Sequence, residues 1–308
     1  MQQTLGVIIL SLYGCADGFV PTPIHLSSLW ASSSETSLSS YLDTLSANAV
    51  VSPSPDLNDV TDVSPSAFYH APRSYFSYAN LRPKGPRPTA DVGTPEDASR
   101  QLIEIGNTSA GSWSCTAGGW PSPNPKAHTE IFYVWSGHGS LTDQDGQVHY
   151  FGPGDTVIIP KGHTGRWDVL ADMHKIWFVH EHDQVEESEP IRVRVIHYQD
   201  LVSKQNQLNY GISKDAVRGN PEIYSNVVYN AGPINVGSWM CTPGCFNIES
   251  LDTSIGFYVL EGQFYISHRE SGQCSKCVPG DTVVLPKGWS GSVDVVETAK
   301  KLWTNLYQ

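Results

Sequence analysis

Positive charge is what this chain has least of. It carries 19 Lys and Arg against 31 Asp and Glu, a net charge of −12. No cluster of Lys and Arg interrupts that balance, which argues against nucleic acid as a partner. The first Lys or Arg is Arg73. No apolar run reaches the length of a membrane-spanning helix, so no membrane span is expected. Methionine is scarce, at three residues, and long helical periodicity is missing altogether. What fills the chain is Gly (27) and Pro (21), with short runs of Val, Ile, Tyr and Trp between them. That pattern describes many short strands joined by tight turns, an all-β chain. At 308 residues there is room for two full cores.

A repeated segment organises the chain. Gly111-Ser-Trp113-Ser-Cys115-Thr116 recurs as Gly237-Ser-Trp239-Met-Cys241-Thr242. Tyr133-Val-Trp-Ser-Gly137 recurs as Tyr258-Val-Leu-Glu-Gly262, and Gly154-Asp155 to Pro160-Lys-Gly162 recurs as Gly280-Asp281 to Pro286-Lys-Gly288. The offset is nearly constant, so a whole domain is duplicated. The boundaries that follow are 1–45 for a targeting presequence, 46–95 for a Pro-rich arm, 96–183 for the first domain and 184–308 for the second. Ile191-Arg-Val-Arg-Val-Ile196 alternates like a strand and is expected to open the second unit. Thr94-Pro-Glu-Asp97 has the pattern of a helix N-cap followed by Pro.

The first 45 residues are read separately. Leu5–Leu12 is a short apolar run, Ala16-Asp-Gly18 has small residues at a cleavage position before Phe19, and eight of the fourteen residues from Ser27 to Ser40 are Ser. This resembles the bipartite plastid presequence of algae with secondary plastids, although it lacks the basic residues such leaders usually carry. Plastid residence is the expectation, with the secretory pathway as the alternative. The arm at 46–95 offers a route to assembly with a neighbour.

With these residues in view, the chain resembles the cupin superfamily, arranged as a bicupin, and within it the ureidoglycine-aminohydrolase-like subgroup. The resemblance covers about residues 100–308. It rests on Gly-x-Trp-x-Cys-Thr, the strand ending Tyr-Val-x-x-Gly, Gly-Asp, Pro-x-Gly and a Lys near the last strand, here Lys175 and Lys301. It implies two tandem jelly-roll barrels behind an extended N-terminal arm. It also implies a divalent metal (Mn, Fe, Ni or Zn) held by a His-x-His pair, a Glu and a later His.

Residue by residue the match is incomplete. The Glu falls at Glu130, but the His pair falls at Pro123 and Pro125 and the late His at Gly165. His128, two residues before Glu130 and thus on the same face if both lie in one strand, and His163, beyond Pro160, stand as replacement ligands. Glu130 and His128 are therefore the candidate catalytic pair, and Glu130, His128 and His163 the candidate metal set. Trp113, Cys115, Phe132, Trp167 and Lys175 are the expected pocket walls. A carboxylate inside a barrel needs a partner, whether metal, His, Lys175 or ligand. In the second repeat Thr253 and Ile255 stand at the His128 and Glu130 positions, so that barrel reads as structural.

His180-Glu-His182 is expected at the surface after the last strand. Cys241, Cys245, Cys274 and Cys277 are expected as free thiols, with zinc or a disulfide as alternatives. Three functions stay open: a metal-assisted hydrolase or lyase of a small polar metabolite with its site in the first barrel, small-molecule binding without catalysis, and a scaffold role.

Overall fold

The computed structural model describes residues 68–185 and 190–307. The presequence, 1–45, and the first part of the arm, 46–67, lie outside the described residues.

The first sheet is built from β2 (Arg82–Pro86), β3 (Glu96–Ile105), β4 (Thr108–Cys115), β5 (Gly118–Ser122), β6 (Thr129–Asp143), β7 (Val148–Phe151), β8 (Thr156–Ile159) and β9 (Gly165–His180). Its order is β8-β6-β9-β4-β3-β2, with β5 on β9 and β7 on β6. The second sheet repeats the plan with β11 (Leu208–Ile212), β12 (Ala216–Gly219), β13 (Glu222–Ala231), β14 (Ile234–Cys241), β15 (Gly244–Ile248), β16 (Ile255–His268), β17 (Cys274–Cys277), β18 (Thr282–Leu285) and β19 (Gly291–Leu306). Every pairing is antiparallel, as short hairpin connections require. The chain is thus all-β with two tandem antiparallel barrels, as the resemblance to a bicupin implies.

Two long strands in each sheet bend to close the barrel. β6 shifts register against β9 between Val134 and Gly139. Gly137 sits there at φ +81°, and a Cβ on it would lie 2.2 Å from the Asp172 carbonyl oxygen. Only glycine fits that bend. Gly262 does the same job in β16, at φ +77°.

The edges are exchanged. β1 (Tyr69–Ala71), which precedes the first barrel, pairs with β18 of the second. β10 (Arg194–Ile196) pairs with β8 of the first barrel. The strand expected to open the second unit therefore completes the first sheet. Its alternation was legible, but its partner was not, because periodicity carries no information about which edge is open. The helix suggested by Thr94-Pro95 does not form either. Glu96 onward runs as β3, zipped to β4, and the Glu96 N–H donates to Thr116 Oγ1 at 2.9 Å. Tertiary pairing overrides the local cap signal. The described helix, α1 (Tyr198–Val202), follows β10.

One apolar cluster joins the barrels. It includes Ile131, Ile158, Ile176 and Phe178 from the first and Tyr258, Val284 and Leu302 from the second. Tyr133 stacks on its repeat counterpart Tyr258, with centroids 4.4 Å apart. A second cluster fills the interior of barrel one: Trp113, Trp120, Phe132, Val134, Phe151 and Trp167 among others.

Candidate functional site

Glu130 lies at the start of β6, buried inside barrel one. Lys175, on the neighbouring β9, donates from Nζ to Glu130 Oε1 at 2.7 Å. Lys126, four residues upstream in the Pro-rich turn, pairs with Oε2. Both carboxylate oxygens are thereby engaged by ammonium groups.

The turn holding Lys126 is pinned by two backbone bonds to the Pro160 turn. The Lys126 N–H donates to the His163 carbonyl at 3.0 Å, and the Gly162 N–H donates to the Lys126 carbonyl at 2.8 Å. Lys126 therefore projects from a fixed point, next to the positions where Pro123 and Pro125 replace the expected histidines. Burial acts to raise the pKa of Glu130, but the charges and hydrogen bonds of Lys126 and Lys175 outweigh it. The carboxyl is held well below its usual range and stays ionised.

Lys175 is enclosed by aromatic faces. Its Nζ lies 3.9 Å from the Phe132 ring centroid, 4.6 Å from Trp167 and 4.7 Å from Trp113. Trp167 stacks in turn on Trp120, and Arg87 lies over Trp120 at 4.1 Å while pairing with Asp97. The ring quadrupoles favour a cation at that point. Burial nevertheless lowers the Lys175 pKa to about 8, with Lys126 and Arg87 adding repulsion that Glu130 opposes.

The expected pocket residues Trp113, Phe132, Trp167 and Lys175 thus converge around Glu130. Cys115 sits in the same apolar cluster, its thiol pushed up to about 12 by burial and by Asp97. The two histidines do not join them. β6 begins at Thr129, so His128 lies in the turn before the strand and the shared-face argument does not reach it. It is half-buried, and burial, followed by Lys126, holds its pKa below the ordinary value. His163 turns to Asp143, with Nε2 2.9 Å from Oδ1. That carboxylate also takes His149 Nε2 at 2.7 Å and the Val193 N–H at 3.1 Å.

Glu130, His128 and His163 are not brought together as a ligand set. Glu130 has no free oxygen, and the His163 nitrogen that would serve is committed elsewhere. Among the described residues no group of three His, Cys, Asp or Glu side chains is arranged to hold a metal ion. The donor set does not fit a divalent cation. Two ammonium groups balance the Glu130 charge instead. Lys126 is the residue that sequence reasoning missed; a single cation beside two vacated ligand positions was its signal.

His180 departs from its expected place at the surface. It is fully buried where the barrels meet, bonded to Thr108 Oγ1 at 3.0 Å and Thr304 Oγ1 at 2.8 Å. Burial lowers its pKa to about 3, so it is a neutral ring. Cys115, Cys241, Cys245, Cys274 and Cys277 are free thiols. Among the described residues no helix is long and apolar enough to cross a membrane.

In barrel two Lys301 occupies the Lys175 position, its Nζ 4.3 Å from the Phe257 centroid and 4.6 Å from Trp239. Ile255 stands where Glu130 would be, so the carboxylate is missing.

The EutQ-like cupin domain matches residues 103–177 and again residues 229–303. No curated protein sequence matches the chain. Several solved structures share the fold. A protein of unknown function from Pseudomonas syringae pv. tomato, of the DUF861 family, superposes with a TM-score of 0.59 at 16% identity, over 78% of this chain and 99% of that one. The DUF861 protein Ylba from E. coli gives 0.53 at 12% identity, over 80% and 93%. HEPD from Streptomyces albus, solved with 2-hydroxyethylphosphonate and Fe(II) bound, gives 0.53 at 9% identity, over 80% and 77%. At these identities the likeness is one of fold. In fold the chain is a bicupin, and the EutQ-like cupin domain is found in it twice in tandem.

Proposed function

We propose that barrel one is a metal-free binding site for a small carboxylate-bearing metabolite, centred on Lys126, Glu130 and Lys175. The observation that carries this reading is the double clamp on Glu130: two cations against one anion leave the site with a surplus positive charge. Lys126 is the more exposed of the two, at 20% against 5% for its side chain, so it is the group a ligand meets first. A ligand carboxylate would compete with Glu130 for that ammonium, while Trp113 and Trp167 supply apolar walls.

Metal-assisted hydrolysis of the ureidoglycine-aminohydrolase type is the second reading. The resemblance in sequence favours it, and a solved neighbour with Fe(II) bound keeps company with it. The lysine clamp weighs against it, because a metal on Glu130 would compete with the ammonium group already held at either oxygen. Metal analysis of the purified chain, with melting in the presence and absence of EDTA, separates the two. The binding reading expects no stoichiometric metal, an unchanged melting temperature, and stabilisation by small dicarboxylates or ureido acids that is lost in Lys126→Ala. Stoichiometric Mn, Fe, Ni or Zn that is lost in Glu130→Ala would overturn it.

Plastid delivery remains a separate proposal that rests on residues 1–45. A fluorescent protein fused behind that segment reports the plastid or, on the alternative, the secretory pathway. Assembly through the Pro-rich arm is likewise a proposal, tested by the solution mass of the chain with and without residues 1–67.

A further inference from the structure

Barrel two keeps one part of the barrel-one centre and discards the other. Lys301 faces Trp239 across the β14–β19 ladder, as Lys175 faces Trp113 across β4–β9. Its ammonium rests on Trp239 and Phe257, as that of Lys175 rests on Trp113 and Phe132. Yet the Glu130 position is Ile255, and the turn position of Lys126 has no charged counterpart in Leu251. Among the described residues Lys301 Nζ has neither a hydrogen bond nor an ion pair. The residue is partly exposed.

We propose that Lys301 is a reactive amine, and that barrel two condenses it with small carbonyl compounds. The cluster of groups around it supports this. The titratable neighbours are Cys241 and Cys277. Burial pushes the Cys241 thiol up to about 12 and raises Cys277 well above its ordinary value, so neither supplies a fixed negative charge. Lys300, next in the chain, is turned away to Glu261 at 2.8 Å. The aromatic faces favour the ammonium here as they do at Lys175, but no carboxylate adds to them, and burial outweighs them and lowers the Lys301 pKa to about 8. A lysine desolvated in an apolar site is an activated nucleophile.

The chemistry balances without an oxidant or reductant. The Nζ lone pair attacks the carbonyl carbon, and the C=O pair moves to oxygen, which is protonated. The resulting carbinolamine loses that oxygen and the nitrogen proton as water, leaving an imine. The thiols can add to the same carbonyl, but only the imine is fixed by a hydride donor.

The test uses the full chain with pyruvate as probe and sodium cyanoborohydride as trap at pH 7.5, followed by peptide mapping by mass spectrometry. The expected result is labelling of Lys301 about tenfold faster than that of the exposed Lys84 and Lys276, because a pKa near 8 raises the free-base fraction on the order of a hundredfold and enclosure takes some of that back. Labelling of Lys301 no faster than those surface lysines overturns the proposal. Ile255→Glu restores the barrel-one arrangement and is expected to slow Lys301 labelling about tenfold. Unchanged labelling in a cooperatively melting Ile255→Glu protein also overturns it.

Discussion

His70 Nε2 lies 2.9 Å from Asp281 Oδ2, and the repeat answers this contact with His197 Nδ1 2.9 Å from Asp155 Oδ1. Each histidine belongs to the segment leading into one barrel and binds the Gly-Asp turn of the other. The same Asp side chains fold back on their own turns, taking the Gly152 N–H and the Val278 N–H. An exchanged strand and a histidine clasp thus close the β8 edge of one sheet and the β18 edge of the other, which would otherwise stand open to foreign strands.

The clasp at His197 makes stability depend on pH in a defined direction. Its hydrogen bond and ion pair with Asp155 raise the His197 pKa above the ordinary 6.5. A group whose folded pKa is raised binds its proton more tightly in the native state, so its contribution is complete below pH 6.5 and fades as pH rises through the folded pKa. His197 is largely exposed, so the effect is small, below about 1 kcal/mol. His197→Ala should melt slightly below the parent at pH 5.5 and together with it at pH 8.5, by calorimetry at both pH values. An equal gap at both would mean that the ring acts by packing alone.

Removing the carboxylate of Glu130 leaves two ammonium groups facing each other. Glu130→Gln should cost about 3–5 kcal/mol near neutral pH, the usual penalty for breaking a buried pair from one side. Because the folded carboxyl pKa is depressed, its contribution is present above pH 4.5 and is lost as pH falls toward the folded value. Urea titrations of both proteins should therefore differ by the full amount at pH 6 and converge in strong acid. A difference that persists undiminished at pH 2 would contradict an ionised, clamped carboxylate.

The sequence carried much of this design, but unevenly. Gly137 and Gly262, Asp155 and Asp281, and Trp113 and Trp239 announce the duplicated barrels, because turns and core are local or periodic properties. The company of Glu130 was only half legible. Lys175 came with the family pattern, whereas Lys126 sits in a turn whose direction is set by bonds to His163 and Gly162, which lie beyond β6, β7 and β8. His180 was misplaced for a related reason. Its surroundings at Thr304 come from the other repeat, and no pattern within one repeat contains them.

The barrel interface should be sensitive at Gly256. A Cβ there would lie 2.6 Å from the Phe178 ring, so the ring of one barrel packs directly on backbone of the other. Gly256→Val is expected to destabilise by about 1–3 kcal/mol, the usual cost of overpacking. Phe178→Leu should recover part of that loss in the double variant, since the two sites share one contact. Purely additive losses in chemical denaturation would show that the contact does not couple the barrels.

The sharpest contrast lies in making one substitution at two equivalent positions. Lys175→Met removes a partner from Glu130, leaving only Lys126 to balance a buried carboxylate, and should destabilise by about 3 kcal/mol. Lys301→Met removes an ammonium with no carboxylate to lose and leaves an apolar chain against Trp239 and Phe257. It should stabilise by about 1 kcal/mol, held to that size by the partial exposure of the residue. The pH sign follows from the lowered Lys301 pKa. Between about 8 and the unperturbed 10.5 the unfolded chain binds the extra proton, so the parent gains stability across that window. The advantage of Lys301→Met should be largest below pH 8 and shrink toward pH 10. Urea denaturation of both variants at pH 7 and pH 9.5 checks the pair. If the two substitutions act with the same sign, the difference between a lysine that serves a carboxylate and a lysine left alone would have no energetic consequence.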